Sequence, residues 1–243
     1  MSKLGKTNAE FELIEEGDKI LVGLSGGKDS ITLVHALKEQ QRRAPFRFDF
    51  IAVTVSYGMG ENYDKLKAHC QEYGIEYEVY DTNIYDIAED KIRKNSSFCS
   101  FFSRMRRGSL YSAAEKFGCN KVALGHHMDD AAESFFMNFI YNGQLRSLAP
   151  KYKADRGVTV IRPLIQMRER QLLAFVQENG IETIGDEACP SMRFDIKMPH
   201  ARAHTKEMLS KMEKEFPSLF TSLNASFQNI SKESFFQKEF FNI

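Results

Sequence analysis

The sequence carries no surplus of either charge: 33 Lys and Arg balance 33 Asp and Glu. That balance excludes a global electrostatic pull toward nucleic acid and leaves only local basic patches for such contact. Cysteine is scarce as well. Cys70, Cys99, Cys119 and Cys189 are too few for a disulfide scaffold in 243 residues, so they are read as reduced thiols. No stretch reaches the roughly 18 uninterrupted apolar residues of a membrane span, and residues 1–16 lack the apolar run of a secretion signal. No membrane association is therefore expected, and the expected location is cytoplasmic. Internal repeats and low-complexity linkers are missing too, which favours one main domain, since domains commonly hold ~100 to 200 residues.

What is present is a globular mixture, 42% hydrophobic and 27% charged. Short apolar runs at 19–24, 48–55, 75–80, 121–125 and 158–161 read as strands. Between them, 30–38, 62–73, 110–117, 131–141, 168–179 and 202–215 have helical spacing or composition. Strands alternating with helices predict an α/β fold with a parallel sheet of about five strands, helices on both faces and further helices at the C-terminal end. In such sheets ligands sit at the carboxyl ends of the strands. Two chemically dense segments fall at such ends.

The first is Ser25-Gly-Gly-Lys-Asp-Ser30, where a strand turns into a helix. Gly26 and Gly27 let backbone N–H groups approach an anion, and the helix N-terminus adds positive potential. Lys28 supplies a point charge, Ser25 and Ser30 offer hydroxyl donors, and Asp29 can cap the helix or help hold a metal. A Walker A loop would place Gly where Val22 stands and Ser or Thr where Asp29 stands. The dinucleotide fingerprint fails because Ser25, not glycine, stands two positions after Gly23.

The second is Gly125-His-His-Met-Asp-Asp130. Gly125, His126 and Asp129 are candidates for ATP contact, and Asp130 joins Asp29 as a candidate Mg²⁺ ligand. Asp129 and Asp130 can equally cap the helix that follows.

The six-residue loop resembles the PP-loop signature of the ATP-pyrophosphatase superfamily. With Ser103-Arg-Met-Arg-Arg-Gly108, Ala123-Leu-Gly-His-His-Met-Asp-Asp130, Val160-Ile-Arg-Pro-Leu164 and Arg168-Glu169, the chain is similar to the tRNA 2-thiocytidine synthetase (TtcA) family over residues 18–230. The resemblance implies a Rossmann-like fold of the adenine nucleotide alpha hydrolase type, with ATP and Mg²⁺. It also implies that a cytidine C2 oxygen of tRNA is adenylated and then replaced by sulfur, with a donor such as a cysteine desulfurase as partner. A carbonyl oxygen leaves poorly, whereas its AMP ester leaves as a stabilised phosphate. In that reading Lys28 and the loop amides stabilise departing pyrophosphate.

The family also carries a Cys-x-x-Cys pair and a third cysteine that hold a [4Fe-4S] cluster. Here Cys99 and Cys189 match the first and third positions, and Phe102 stands at the second. Phenylalanine cannot ligate iron, and two thiolates leave two irons without protein ligands. Cys99 and Cys189 are accordingly expected to act as a nucleophile and persulfide-carrier pair, as in related cluster-free thiolases. Cys70 and Cys119 are assigned to burial.

Arg104, Arg106 and Arg107, with Arg202 in a second basic stretch, suit an RNA backbone. Phe98, Phe101 and Phe102 can stack on an unpaired base or belong to the core. The expected division is an N-terminal extension at 1–17, the ATP-binding domain at 18–183, a helical segment completing the site at 184–230 and a tail at 231–243, with a homodimer as the expected assembly. Two alternatives remain open: adenylation followed by a non-sulfur nucleophile, as in lysidine formation or amidation, and a non-catalytic ATP-binding regulator.

Overall fold

The computed structural model describes residues 3–85, 98–154, 157–183 and 200–236, without the side chains of 98–103 and 200. β1 (Lys19–Gly23), β2 (Asp49–Val55) and β3 (Tyr77–Tyr80) alternate with α2 (Lys28–Arg43) and α3 (Asp64–Glu72). α4 (Phe98–Lys116) leads into β4 (Lys121–Ala123), and α5 (Met128–Asn142) follows. β5 (Lys151–Lys153), β6 (Thr159–Ile161) and α6 (Glu169–Glu178) come next, with α7 (His200–Glu215) and α8 (Leu219–Ser226) after them. Preceding all of these is α1 (Lys3–Phe11).

The strands form one sheet in the order β3-β2-β1-β4-β6-β5, parallel except for the β5–β6 pair. This is the expected α/β architecture with one strand more than the sequence suggested. β5 went unnoticed because Lys151-Tyr-Lys153 is short and polar and serves as an antiparallel edge, so no apolar run marks it. In β1, by contrast, Ile20, Leu21 and Val22 are all fully buried, as a central parallel strand covered on both faces requires.

One face of the sheet packs Ile20, Val22 and Ala52 against Ile31, Leu33, Val34 and Leu37 of α2 and Leu172 of α6. The other face packs Leu21, Ile51, Val53 and Val122 against Leu110, Ala113 and Ala114 of α4. A separate cluster joins Met128 and Ala132 of α5 to Leu209 of α7 and to Phe220 and Leu223 of α8. α1 also belongs to the folded body, since its Leu4 is buried in the first cluster, as are Leu13 and Ile14 just after the helix. Among the described residues no helix is long and apolar enough to cross a membrane.

The order of strands creates a switch point. From β1 the chain moves outward through β2 to β3, and from β4 it moves the other way to β6, so the crossover helices part between β1 and β4. A crevice opens at the carboxyl ends of those two strands. Residues 25–30 and 125–130 leave the sheet at that crevice.

At the opposite end of the same strands lies a buried staple. Lys121 Nζ contacts Asp18 Oδ2 at 2.6 Å, Glu15 Oε2 at 2.7 Å and the Leu13 carbonyl at 3.0 Å. Lys121 and Asp18 have side chains only 5% and 6% exposed. Removing one partner of a buried pair strands the other charge, at a cost of about 3–5 kcal/mol. Lys121→Met is expected to lower the unfolding free energy by about that amount in urea titrations, while Lys121→Met combined with Asp18→Asn recovers part of the loss.

Candidate active site

The phosphate loop is held open by its own hydroxyls. Ser30 Oγ donates to the Gly27 carbonyl at 3.0 Å and accepts from the Ser25 amide at 3.1 Å, with Ser25 Oγ at 3.1 Å. Ser30 is buried, so its proton closes the loop from within instead of facing outward. Gly26 has φ +87°, in the left-handed region that only glycine enters without strain. Gly27 is the N-cap of α2 and supplies no side-chain cap, so the first amides of a 16-residue helix remain available to an anion.

The second segment meets this loop backbone to backbone. A Cβ on Gly125 would lie 3.1 Å from the carbonyl carbon and oxygen of Asp29 and 3.2 Å from the Ser30 amide. Gly125 therefore serves as the contact that lets the two turns touch. His127 is the N-cap of α5: its amide donates to Asp130 Oδ2 at 3.1 Å and its Nδ1 accepts from the Asp130 amide at 3.4 Å. The N-cap is thus a histidine and neither aspartate, and Asp130 completes the capping box from the third helical position.

His127 is buried between carboxylates, with Nε2 3.7 Å from Asp29 Oδ1 and 3.4 Å from Asp130 Oδ2. Asp29 Oδ1 is buried and makes no hydrogen bond, although Lys28 Nζ stands 3.3 Å away. Burial raises the Asp29 pKa above the ordinary carboxylate value, opposed by His127 and Lys28. Asp130 is more fully engaged, because Arg202 donates to its Oδ1 at 2.6 Å.

Asp129 is committed to a different contact. Arg168 embraces it through Nε at 3.1 and 3.2 Å and through Nη2 at 3.0 Å, and the Glu169 amide donates to its Oδ2 at 2.6 Å. The same guanidinium reaches Glu213 at 2.6 and 2.9 Å and lies 3.3 Å over the Phe220 ring. One arginine thereby joins the starts of α5 and α6 to α7 and α8. His126 turns toward Arg162, whose Nε donates to His126 Nδ1 at 3.2 Å. Because Arg162 can only donate, the neutral ring carries its proton on Nε2.

Of the residues expected to meet RNA, Arg104 and Arg107 line a cavity of about 370 Å³ with Tyr111, Tyr152 and Lys153. Arg106 is half-buried on the same helix, and Arg202 is tied to Asp130 and to Glu133 at 2.8 Å. The side chains of Cys99, Phe98, Phe101 and Phe102, and the whole of Cys189, lie outside the described residues. Cys70 and Cys119 are buried in two different core clusters, and burial raises both thiols, that of Cys70 to about 11. A larger cavity of about 1090 Å³ lies between α1 and the C-terminal half of α2, lined by His35, Phe46, Tyr73 and Phe175, away from both loops.

Sequence reasoning assigned no role to Glu133 or Glu213, placed Lys206 only in a basic stretch suited to an RNA backbone, and quoted Arg162 and Arg168-Glu169 only as part of a resemblance. The available signal was the placement of Arg168 and Glu169 at the start of an amphipathic helix, separated by two residues from the buried pair Leu164 and Ile165. Their partners on α5 and α7 are distant in sequence, which no local pattern reveals.

Known proteins bear on this geometry. The family model described as PP-loop domain matches residues 2–198. The tRNA-cytidine(32) 2-sulfurtransferase of Geobacter metallireducens is 41% identical over 239 residues, covering 97% of this chain and 91% of that protein. That of Syntrophotalea carbinolica is 42% identical over 228 residues, covering 93% and 86%. Among solved structures, the U34-tRNA thiolase NcsA from Methanococcus maripaludis with its [4Fe-4S] cluster matches with a TM-score of 0.74 and 25% identity. That match covers 93% of this chain and 76% of that one.

Burial, reinforced by Arg162, lowers the His126 pKa from 6.5 to about 4, and burial likewise lowers His35 to about 4. Between those values the unfolded chain binds protons that the folded chain refuses, so stability falls as pH drops from 6.5 toward 4. Urea midpoints should decline across that window. In NMR titrations the His126 imidazole should retain the signature of its neutral form at pH 5.

Proposed function

The chain belongs to the PP-loop domain family and, within it, to the tRNA-cytidine(32) 2-sulfurtransferases, and from that premise we propose that it adenylates a cytidine C2 oxygen in tRNA and exchanges that oxygen for sulfur. The observation that carries the reading is the uncapped start of α2 beside Lys28, set against Gly125 at the switch point. That arrangement suits a polyphosphate. Gly26, Gly27 and Lys28 would hold the phosphates whose departure as pyrophosphate drives adenylation, with Ser25 and Ser30 shaping the loop and His126 at its edge.

Mg²⁺ accompanies ATP in this chemistry and would neutralise phosphate charge. Asp29 Oδ1, a buried carboxylate oxygen without a hydrogen bond, fits a hard cation. Asp130 would have to release Arg202 to join it. A three-cysteine [4Fe-4S] site does not fit this chain. Phe102 stands at one ligand position, and Cys70 and Cys119 are confined to separate cores.

Cys99 and Cys189 are instead the sulfur-handling pair. A persulfide on one thiol attacks C2 of the adenylated base and AMP leaves with the former C2 oxygen. The second thiol then attacks the Sγ of the first cysteine, breaking its bond to the transferred sulfur, which leaves with the base as the thiolated product while a Cys99–Cys189 disulfide forms. An external thiol reductant resets it. Arg104, Arg106 and Arg107 would face the RNA backbone, and a cysteine desulfurase or equivalent would load the sulfur.

With ATP, cytidine-32-bearing tRNA, a sulfur donor and a thiol reductant, nucleoside mass spectrometry should find 2-thiocytidine. Lys28→Ala should reduce pyrophosphate release by about 100-fold or more, as expected for a residue that stabilises the departing phosphate. Cys99→Ser and Cys189→Ser should each abolish sulfur incorporation while pyrophosphate release persists. Full thiolation by either serine variant would end the persulfide assignment. Pyrophosphate release with no sulfur in the RNA, even with the wild type, would end the thiolation reading.

A further inference from the structure

Lys28 is the one cation within residues 25–30, yet it points at a carboxylate supplied from elsewhere in the chain. Glu169, the first residue of α6, bridges two ammonium groups: Oε1 lies 3.0 Å from Lys28 Nζ, and Oε2 lies 2.9 Å from Lys206 Nζ on α7. Burial alone would raise the Glu169 pKa. The hydrogen bonds from Lys206 and Lys28 prevail and hold it at about 2, so the group is an anion at every physiological pH. Two oxygens of one anion shared between two lysines, in front of a phosphate loop, reproduce the charge pattern of a phosphate group.

The anchorage of Glu169 is independent of its side chain. Its amide is fixed to Asp129, and the neighbouring Arg168 binds Asp129 and Glu213, so α6 stays in place whichever anion Lys28 and Lys206 hold. Lys206 has a side chain 58% exposed and Glu169 one 28% exposed, so both pairs remain open to exchange with a more highly charged competitor.

We propose that the Glu169 carboxylate stands in for a polyphosphate between Lys28 and Lys206, and that ATP displaces it, making Lys206 a second phosphate-binding cation delivered by α7. After displacement Glu169 lies next to phosphate oxygens with its charge unpaired. The same carboxylate therefore weakens the hold on pyrophosphate and speeds its exit. This proposal rests on the reading of residues 25–30 as a polyphosphate loop.

The test is calorimetric titration of the full chain with pyrophosphate, with and without Mg²⁺. Glu169→Gln should tighten Mg²⁺-free pyrophosphate binding by about fivefold, a size set by two partly exposed ion pairs. Lys206→Ala should weaken it by about threefold, the scale of one such pair. Unchanged or weaker binding by Glu169→Gln overturns the proposal. So does a loss seen only with Mg²⁺, which would make Glu169 a cation ligand. If Glu169→Gln fails to fold, Lys206→Ala carries the test alone, and undiminished affinity overturns the assignment. A wild-type protein that binds no pyrophosphate overturns the phosphate-loop reading itself.

Discussion

The site depends on the near-contact of two backbone turns at the carboxyl ends of β1 and β4. Gly125 presents no Cβ to Asp29 and Ser30, so the loop after β4 settles against the loop after β1. Strand order makes that contact possible, because the crossovers part between β1 and β4. Side-chain chemistry then fills the seam. His127 is fixed as the cap of α5 and stands between Asp29 and Asp130, while the uncapped start of α2 faces the same crevice.

Around this seam the helices are arranged by charge as much as by apolar packing. Arg168 collects Asp129 and Glu213, Arg202 collects Asp130 and Glu133, and Arg162 holds His126. Several of these groups are largely buried, where an unpaired charge is costly and a well-formed set of hydrogen bonds is correspondingly rigid. The C-terminal helices α7 and α8 thus help shape the site, because Arg202, Glu213 and Phe220 all reach residues that flank it.

Much of the fold could be read from the sequence, since central strands such as β1 are continuous apolar runs and their helices have the matching period. β5 could not, being three mostly polar residues whose pairing is set by β6. The phosphate loop was legible because its chemistry is contiguous. The partners of its neighbours were not: Asp129 and Arg168 are 39 positions apart, and Arg202 and Asp130 are 72 apart. Asp129 is a case in point: no local pattern pairs it with the arginine that its carboxylate engages. Phe102, by contrast, was informative through its identity alone, as the wrong element of chemistry at a ligand position.

The Arg168 clamp restricts how this sequence can drift over generations. Asp129 and Arg168 each have side chains 14% exposed, and Glu213 shares the same guanidinium. A lone change at any of the three strands a poorly hydrated charge, so viable variation there must arrive as coordinated sets. The exposed pair Arg42 and Glu39, 70% and 44% accessible, carries no such tie and can change one residue at a time. Neutral substitution should thus accumulate unevenly, quickly along the outer surface of α2 and slowly where α5, α6 and α7 converge.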